Sequence, residues 1–152
     1  GAIVGDYGWG RSVEESIEPW RHAPGDVEMN IDLPPGPVMA DADGDRIEQV
    51  LSNLVDNAVK YSNSDGAISI EVFRGSDCVG FAVEDSGVGM DEETISRIFD
   101  RFFHGEQLDG RPRSMGLGLY LCRQIVEQHD GDIQVDSEKG VGTRVRIELV
   151  PA

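Results

Sequence analysis

Three polar residues, Asn53, Asn57 and Lys60, recur at helical spacing in the middle of the chain. At about 100° per residue, positions i, i+4 and i+7 fall in one stripe roughly 60° wide. A carboxamide oxygen can bind Mg²⁺, and a lysine one turn further along can meet a phosphate. The alternative is a solvated helix face, which is the default for polar residues on an exposed side. The stripe taken alone favours the solvated face.

A second group of chemically useful residues is the segment Asp85-Ser86-Gly87-Val88-Gly89, which follows an alternating apolar stretch. Asp85 continues the apolar spacing of residues 79–83, so its carboxylate should point to the buried side of a strand. A carboxylate there needs a hydrogen-bond donor, such as the exocyclic amino group of a purine, and the glycines would let a flat ligand approach the backbone. In the alternative, an acidic turn uses Gly87 and Gly89 only for positive φ angles. Both interpretations remain open.

Glycines also stand where a long helix should begin, at Gly116 and Gly118 on either side of Leu117. Free N–H groups and the positive end of the helix dipole favour an anion at such a start. A dinucleotide-binding fingerprint is rejected, because Leu121 occupies the position of its third glycine and no parallel strand precedes it. The polar stretch 104–115 has no periodicity, and a loop of that length is more often functional than accidental. We therefore expect a lid there.

Helices and strands must bring these groups together. Apolar residues at i, i+3, i+4 and i+7 predict a helix over 45–61, with Asp43 as its N-cap. A second long helix should run from about Gly116 to before Gly131. Shorter helices are predicted over 11–20 and 91–103, and residues 1–10 are expected to be a flexible leading segment. Alternating patterns predict strands over 27–33, 38–40, 68–72, 79–83, 133–135 and 141–149.

Helices and antiparallel strands are thus mixed, without the regular alternation of a doubly wound parallel sheet. We expect an α+β protein, a two-layer α/β sandwich in which a mixed, mostly antiparallel sheet of about five strands packs on three helices. With 152 residues, the chain fits one domain over 1–152.

Charge and composition exclude several classes of function. The formal net charge is −16, from 29 acidic and 13 basic residues, which argues against nucleic acid or anionic lipid as a partner. No apolar run approaches the length of a membrane-spanning helix. Cys78 and Cys122 lack the paired spacing of a zinc site and are expected to be free thiols in a reducing compartment.

In this order the motifs resemble those of the ATP-binding domain of sensor histidine kinases, a group related to DNA gyrase and a heat-shock chaperone. The matching segments are 49–61 for the asparagine box, 85–89 for the first glycine box, 98–102 for the phenylalanine box, 116–119 for the second glycine box and 140–143 for the closing strand motif. The resemblance covers nearly the whole chain, and five motifs in sequence are far more specific than any one of them. It implies the Bergerat-type ATP-binding fold with a flexible ATP lid over 104–115.

The resemblance also implies roles for individual residues, with ATP and Mg²⁺ as cofactors. Asn57 would hold Mg²⁺ with support from Asn53, Lys60 would contact phosphate, and Asp85 would accept a hydrogen bond from the adenine amino group. The implied nucleotide-binding residues are Asn53, Asn57, Lys60, Tyr61, Asp85, Gly87, Gly89, Met90, Arg113, Gly116, Leu117, Gly118 and Thr143, of which Asn53, Asn57 and Lys60 are also the catalytic candidates.

The expected chemistry is phosphoryl transfer to an external nucleophile. Gyrase-like relatives place a water-activating glutamate at the position of Asn53, and an amide cannot act as a base, so hydrolysis should be slow. None of His22, His104 and His129 has the acidic helical context of the family's phosphorylated histidine. The acceptor is therefore expected on dimerisation and phosphoacceptor helices outside this chain, with a cognate response regulator as the further partner. His104 stands where many relatives have an arginine that reaches the γ-phosphate, and Arg111 or Arg113 could replace it.

Two alternatives to a histidine kinase fit the sequence less well. An anti-sigma-factor serine kinase of the same fold usually keeps the glutamate that Asn53 replaces. A docking module that has lost nucleotide would not need Asn57, Asp85 and the glycines. The domain is expected to be cytoplasmic and to make no membrane contact itself, whether or not the full-length protein is anchored in a membrane.

Overall fold

The computed structural model describes residues 28–35, 38, 40–61, 66–100 and 115–151; the side chains of Tyr61 and of residues 115–118 lie outside that description. The strands are β1 (Glu28–Asp32), β2 (Ala67–Arg74), β3 (Val79–Asp85), β4 (Asp132–Glu138) and β5 (Gly142–Leu149), and the helices are α1 (Gly44–Tyr61), α2 (Glu92–Arg97) and α3 (Met115–Gln128). The predictions for residues 1–10, 11–20 and most of the lid fall outside the described residues.

The five strands form one mixed sheet in the order β1-β2-β3-β5-β4. β1 runs parallel to β2, and every other neighbouring pair is antiparallel. The predicted hairpins are β2–β3 and β4–β5, and β5 lies between β3 and β4. This pairing sets Asp85 at the end of β3 opposite Thr143 on β5. The predicted mostly antiparallel sheet is confirmed.

The helix α1 forms where the apolar spacing predicted it. Asp43 caps its first turn, because its Oδ1 accepts a hydrogen bond from the Asp45 N–H at 3.0 Å. The helix packs on α3 and on the central strand β3. Its buried face comprises Ile47, Val50, Leu51, Leu54, Val55 and Ala58. The polar stripe with Asn57 lies beside this face, so that it borders the layer between helix and sheet.

Each strand turns alternate side chains toward the helices. β2 contributes Ile68, Ile70 and Val72 to the core, and β3 contributes Phe81 among others. The opposite face of the sheet is polar: the Arg144 guanidinium lies 3.1 Å from a carboxylate oxygen of Glu71. Because side chains alternate along each strand, the sheet has one face packed against the helices and an opposite face that carries polar side chains.

Two predicted elements are shorter than expected. The helix predicted over 91–103 is α2, which ends at Arg97 and has no buried residue, while Ile98 beyond it is fully buried. Ile98 is the C-cap and keeps helical dihedral angles, and beyond it the Asp100 N–H bonds to the Arg97 carbonyl at 2.9 Å, in a turn tighter than the α-helix. The strand predicted at 38–40 is reduced to a single bridge between Ala40 and Pro151.

Neither cysteine is in a disulfide, as predicted; Cys122 is buried and Cys78 is half-buried. Burial raises the pKa of the Cys122 thiol to about 12, although a hydrogen bond from Asn53 opposes this, so the thiol stays protonated at neutral pH. Within the described part of the chain, none of the helices is long and apolar enough to cross a membrane.

Leu51 tests the packing of α1 on the sheet, because its side chain is 1% exposed. Replacing it with alanine should leave a cavity and lower the free energy of unfolding by about 2–5 kcal/mol. Leu121→Ala is the matched control, since Leu121 is 38% exposed on α3 and should cost less than about 1 kcal/mol. Urea unfolding followed by circular dichroism measures both variants, and equal losses would contradict the described packing.

Candidate functional site

An apolar cleft opens between α1, the end of β3 and α3. Its empty space is about 520 Å³, a volume that includes space open to solvent. The lining residues are Leu54, Asn57, Ala58, Val83, Asp85, Val88, Gly89, Met90, Leu119, Thr143 and Val145. Only Asn57, Asp85 and Thr143 among them carry polar side chains. The cleft therefore combines apolar walls with a few polar groups, as small-molecule sites do.

Asn57 brings an unsatisfied amide into the cleft. Its Nδ2 is buried, and no hydrogen-bond partner for it exists among the described residues. Buried polar atoms in folded proteins almost always have partners, because an unpaired one costs about 1–3 kcal/mol. The amide is thus placed to interact with a molecule that enters the cleft.

The other two residues of the polar stripe differ from Asn57. Asn53 is partly buried, and its Nδ2 lies 3.9 Å from the Sγ of Cys122 on α3. The side chain of Lys60 is 47% exposed, and its Nζ is 2.9 Å from a carboxylate oxygen of Asp56. An exposed ion pair of this kind is weak, so it leaves Lys60 able to exchange partners. The stripe is therefore neither wholly solvated nor wholly buried.

Asp85 lies at the inner end of β3, as the strand parity predicted. Its Oδ1 accepts a hydrogen bond from the Gly87 N–H at 2.8 Å, and the Thr143 N–H is a second donor. Burial raises the pKa of Asp85 to about 6, and the two N–H groups only partly offset that effect. Because this pKa is raised above its value of 3.8, the stabilising contribution of protonated Asp85 is present below about pH 4 and lost as the pH rises through about 6.

The loop 86–90 is hydrogen-bonded to the end of β4 and to the turn between β4 and β5. The Gly140 N–H donates to the Val88 carbonyl at 2.7 Å, and the Met90 N–H donates to the Ser137 hydroxyl at 2.8 Å. Gly89 has a φ of 65°, and a Cβ there would overlap the carbonyl oxygen of Glu138. Glycine at this position therefore meets a conformational and a steric demand at once.

The helix start predicted around Gly116 and Gly118 is the first turn of α3, which begins at Met115. Leu119, in the second turn, is buried and lines the cleft. The first N–H groups of this helix lack carbonyl partners within it, as at any helix N-terminus. The side chains of Tyr61 and Leu117, the residue Arg113 and the lid up to residue 114 lie outside the described residues.

The structure thus gathers five of the predicted residues in one cleft: Asn57, Asp85, Gly89, Met90 and Thr143. Gly87 donates its N–H to the Asp85 carboxylate. Asn53 and Lys60 are not among the lining residues.

Other residues of the cleft were not predicted from the sequence. Leu54 and Ala58 flank Asn57 at helical spacing, so the apolar pattern of α1 contained their signal. Leu119, Val88 and Val145 are ordinary apolar residues, and no pattern marks them. Ser137 carried a usable signal: it continues the inward parity of Ile133 and Val135 although its side chain is polar.

Comparison with known proteins places this architecture in a family. The family described as "Histidine kinase-, DNA gyrase B-, and HSP90-like ATPase" matches residues 42–152. The sensor protein KdpD of Clostridium acetobutylicum is 40% identical over 116 residues, which are 76% of this chain and 13% of KdpD. The catalytic domain of histidine kinase ThkA superposes with a TM-score of 0.79 at 28% identity, over 94% of this chain and 92% of that one. Full-length ShkA in complex with AMPPNP gives a TM-score of 0.74 at 28% identity, over 93% and 29% of the two chains.

The chain belongs to the family of histidine kinase-, DNA gyrase B- and HSP90-like ATPases, and it is an ATP-binding domain of the sensor histidine kinase type. The fold predicted from the resemblance is confirmed. The chain spans only 13% of the length of KdpD, so the activity of a whole sensor kinase extends beyond what this domain carries.

Gly89→Ala should disturb the loop 86–90 more than Gly140→Ala disturbs the neighbouring turn. Both glycines have positive φ, but a Cβ at Gly140 would meet nothing within 4 Å, whereas one at Gly89 meets the Glu138 backbone. We expect Gly140→Ala to cost about 1 kcal/mol of stability and Gly89→Ala about 1–2 kcal/mol more. Thermal and urea unfolding measure the difference in the free energy of unfolding. Equal values for the two variants would show that the loop 86–90 accommodates the added Cβ without loss of stability.

Proposed function

We propose that this domain binds Mg²⁺–ATP in the cleft and donates the γ-phosphoryl group to a histidine on a separate phosphoacceptor segment, as part of a two-component sensor kinase. The observation that carries the proposal is the pairing of the unpartnered Asn57 amide with the Asp85 carboxylate across one apolar cleft. The unpaired Asn57 N–H group suits an acceptor such as a phosphate oxygen, and the Asp85 carboxylate suits an amino-bearing base. ATP contains both chemistries in one molecule.

The adenine ring would lie between the apolar walls of the cleft, with its amino group donating to Asp85. Leu54, Val88, Met90 and Leu119 supply the flat apolar surfaces that a base requires. The two backbone N–H groups already bound to Asp85 hold its carboxylate in position and favour its ionised, accepting form. The complex of ShkA with AMPPNP supports a nucleotide in this family of folds.

Asn57 is the proposed Mg²⁺ ligand, with Asn53 one turn earlier on the same side of α1. Amide oxygens are hard ligands of the type that Mg²⁺ prefers, so the Asn57 Oδ1 would hold the metal. The unpartnered Asn57 Nδ2 would donate a hydrogen bond to a phosphate oxygen. The chemistry supplied by bound Mg²⁺ is neutralisation of charge on the phosphate oxygens. Lys60 would add a positive charge by leaving its exposed contact with Asp56. Gly87, Gly116, Leu117, Gly118, Tyr61 and Arg113 complete the proposed nucleotide-binding set.

Transfer to an external nucleophile fits this set of residues better than hydrolysis. Asp85 is the sole carboxylate among the described lining residues, and its proposed place is at the base, away from the phosphates. Asn53 carries an amide where a water-activating base would stand, and an amide cannot deprotonate water. An acceptor imidazole nitrogen would form the new bond to the γ-phosphorus while the bond to the β–γ bridging oxygen breaks, releasing ADP.

The acceptor histidine is proposed to lie on dimerisation helices outside this chain, and the phosphoryl group would then pass to a cognate response regulator. The formal net charge of −16 is consistent with partners other than nucleic acid. The domain itself would work in the cytoplasm, where ATP is supplied.

Calorimetric titration with ATP, with and without Mg²⁺, tests the site. Asp85→Ala should weaken ATP about 10- to 100-fold, because one hydrogen bond to a charged group contributes about 1.5–3 kcal/mol. Glu84→Ala is the control, since Glu84 is the adjacent carboxylate and is exposed on the other face of the sheet. Asn57→Ala should abolish the benefit of Mg²⁺, whereas Gln49→Ala, an exposed amide of the same helix, should not.

Saturable binding that Asp85→Ala weakens, and that Asn57→Ala makes independent of Mg²⁺, with both control variants unchanged, would support the nucleotide site. Radiolabelled transfer to a separately supplied acceptor segment would then test the kinase reaction. Absence of binding by the unmodified domain would leave a docking module as the better explanation, and labelling of the isolated domain would overturn the external acceptor.

ATP affinity should also depend on pH through Asp85. Its pKa is about 6 because of burial, and the ionised carboxylate accepts the amino hydrogen bond more strongly than the protonated form does. Affinity should therefore be constant above about pH 7 and fall about tenfold by pH 5. The control is Asp85→Asn, which keeps the titration of the ATP phosphates and removes that of the carboxylate. The same loss of affinity in both proteins would assign the pH effect to the nucleotide.

A further inference from the structure

The hydroxyl of Ser137 has three hydrogen-bond neighbours, and their donor and acceptor chemistry favours one arrangement of the protons. The Met90 N–H lies 2.8 Å away and can only donate. The Gly142 carbonyl oxygen lies 2.9 Å away and can only accept, so the single proton of Ser137 points to it. The third neighbour is the Thr143 hydroxyl, at 2.8 Å.

Thr143 must therefore donate its own proton to Ser137. The opposite arrangement would take the Ser137 proton away from the Gly142 carbonyl, leaving two oxygen atoms 2.9 Å apart with no proton between them. Ser137 then accepts twice and donates once, which is the full capacity of a hydroxyl. The Thr143 hydroxyl has only lone pairs left for any group in the cleft.

This makes two neighbouring cleft groups acceptors. Thr143 is the cross-strand partner of Asp85, and both residues line the cleft. The Thr143 N–H also contributes to holding down the pKa of the Asp85 carboxyl, so it is oriented toward Asp85. An amino group with two N–H bonds matches a pair of acceptors, directly or through one water molecule, whereas a carbonyl oxygen in its place would face lone pairs on both sides.

We propose that Ser137 is a positioning residue for base specificity: by holding the Thr143 hydroxyl as an acceptor, it makes the cleft select a 6-aminopurine over a 6-oxopurine nucleotide. Ser137 itself would not touch the base. The Ser137 hydroxyl also accepts a hydrogen bond from the Met90 N–H and so holds the loop below the base. Loss of the hydroxyl would therefore lower the affinity for every nucleotide and, in addition, reduce the selectivity for the 6-aminopurine. The proposal rests on the proposed nucleotide-binding function of the cleft.

The experiment compares Mg²⁺–ATP with Mg²⁺–ITP, the 6-oxo analogue, by calorimetry at pH 8, where Asp85 is ionised. In Ser137→Ala the Thr143 hydroxyl can rotate and donate to the oxo group. The ratio of ITP to ATP dissociation constants should fall about five- to tenfold, the factor of about one hydrogen bond. Ser137→Thr keeps a hydroxyl and should retain most of the selectivity. Thr143→Val removes the acceptor and should also lower the ratio, which provides a second variant should Ser137→Ala not fold.

A purely structural role of Ser137 would weaken both nucleotides equally, and an unchanged ratio in Ser137→Ala and Thr143→Val would overturn the proposal. Loss of selectivity in Ser137→Thr as severe as in Ser137→Ala would also contradict it. Failure of the proposed function would look different, since the unmodified domain would then bind neither nucleotide.

Discussion

A carboxylate at the buried end of a central strand loses hydration, and the site depends on how the chain compensates Asp85 for that loss. The compensation comes from two backbone N–H groups that are distant in sequence, those of Gly87 in the following loop and of Thr143 on β5. Both are available only when β3 and β5 pair in the observed register. These two hydrogen-bond donors do not fully replace the lost hydration, and the pKa of Asp85 is therefore raised. A ligand that donates a hydrogen bond to this carboxylate therefore supplies an interaction that folding did not provide.

The same logic extends to the rest of the cleft. Asn57 also carries a polar atom that folding leaves without a described partner, on the opposite wall. Two under-satisfied groups facing an apolar space cost stability, and such costs are characteristic of binding sites, where a ligand supplies the missing partners. The glycine-dependent contact of the loop 86–90 with the β4–β5 turn, and the Ser137 hydroxyl within it, keep the floor of the cleft in place. Rigid support beneath a few exposed polar groups is how a small domain can recognise a base with little rearrangement.

Local patterns predicted most of the elements correctly, because helix and strand periodicities report which side of a segment is buried. The helix α1, both hairpins and the start of α3 follow from such patterns, as does the inward direction of Asp85. The end of α2 could not be predicted in this way: Ile98 continues the apolar helical spacing and is fully buried, yet it is the C-cap, and the helix ends at Arg97. The bridge at Ala40 depends on Pro151, more than a hundred residues away.

The sequence by itself determined the family motifs, the periodicities and the candidate residues, since these are properties of residue type and spacing. Tertiary structure alone decided that the Nδ2 of Asn57 is buried without a described partner while Lys60 on the same stripe is exposed beside Asp56. It also decided that Ser137 meets Met90, Gly142 and Thr143 at one oxygen atom. The reason is physical: spacing along a chain gives the direction of a side chain, but hydrogen-bond satisfaction depends on which distant backbone atoms the strand register brings beside it.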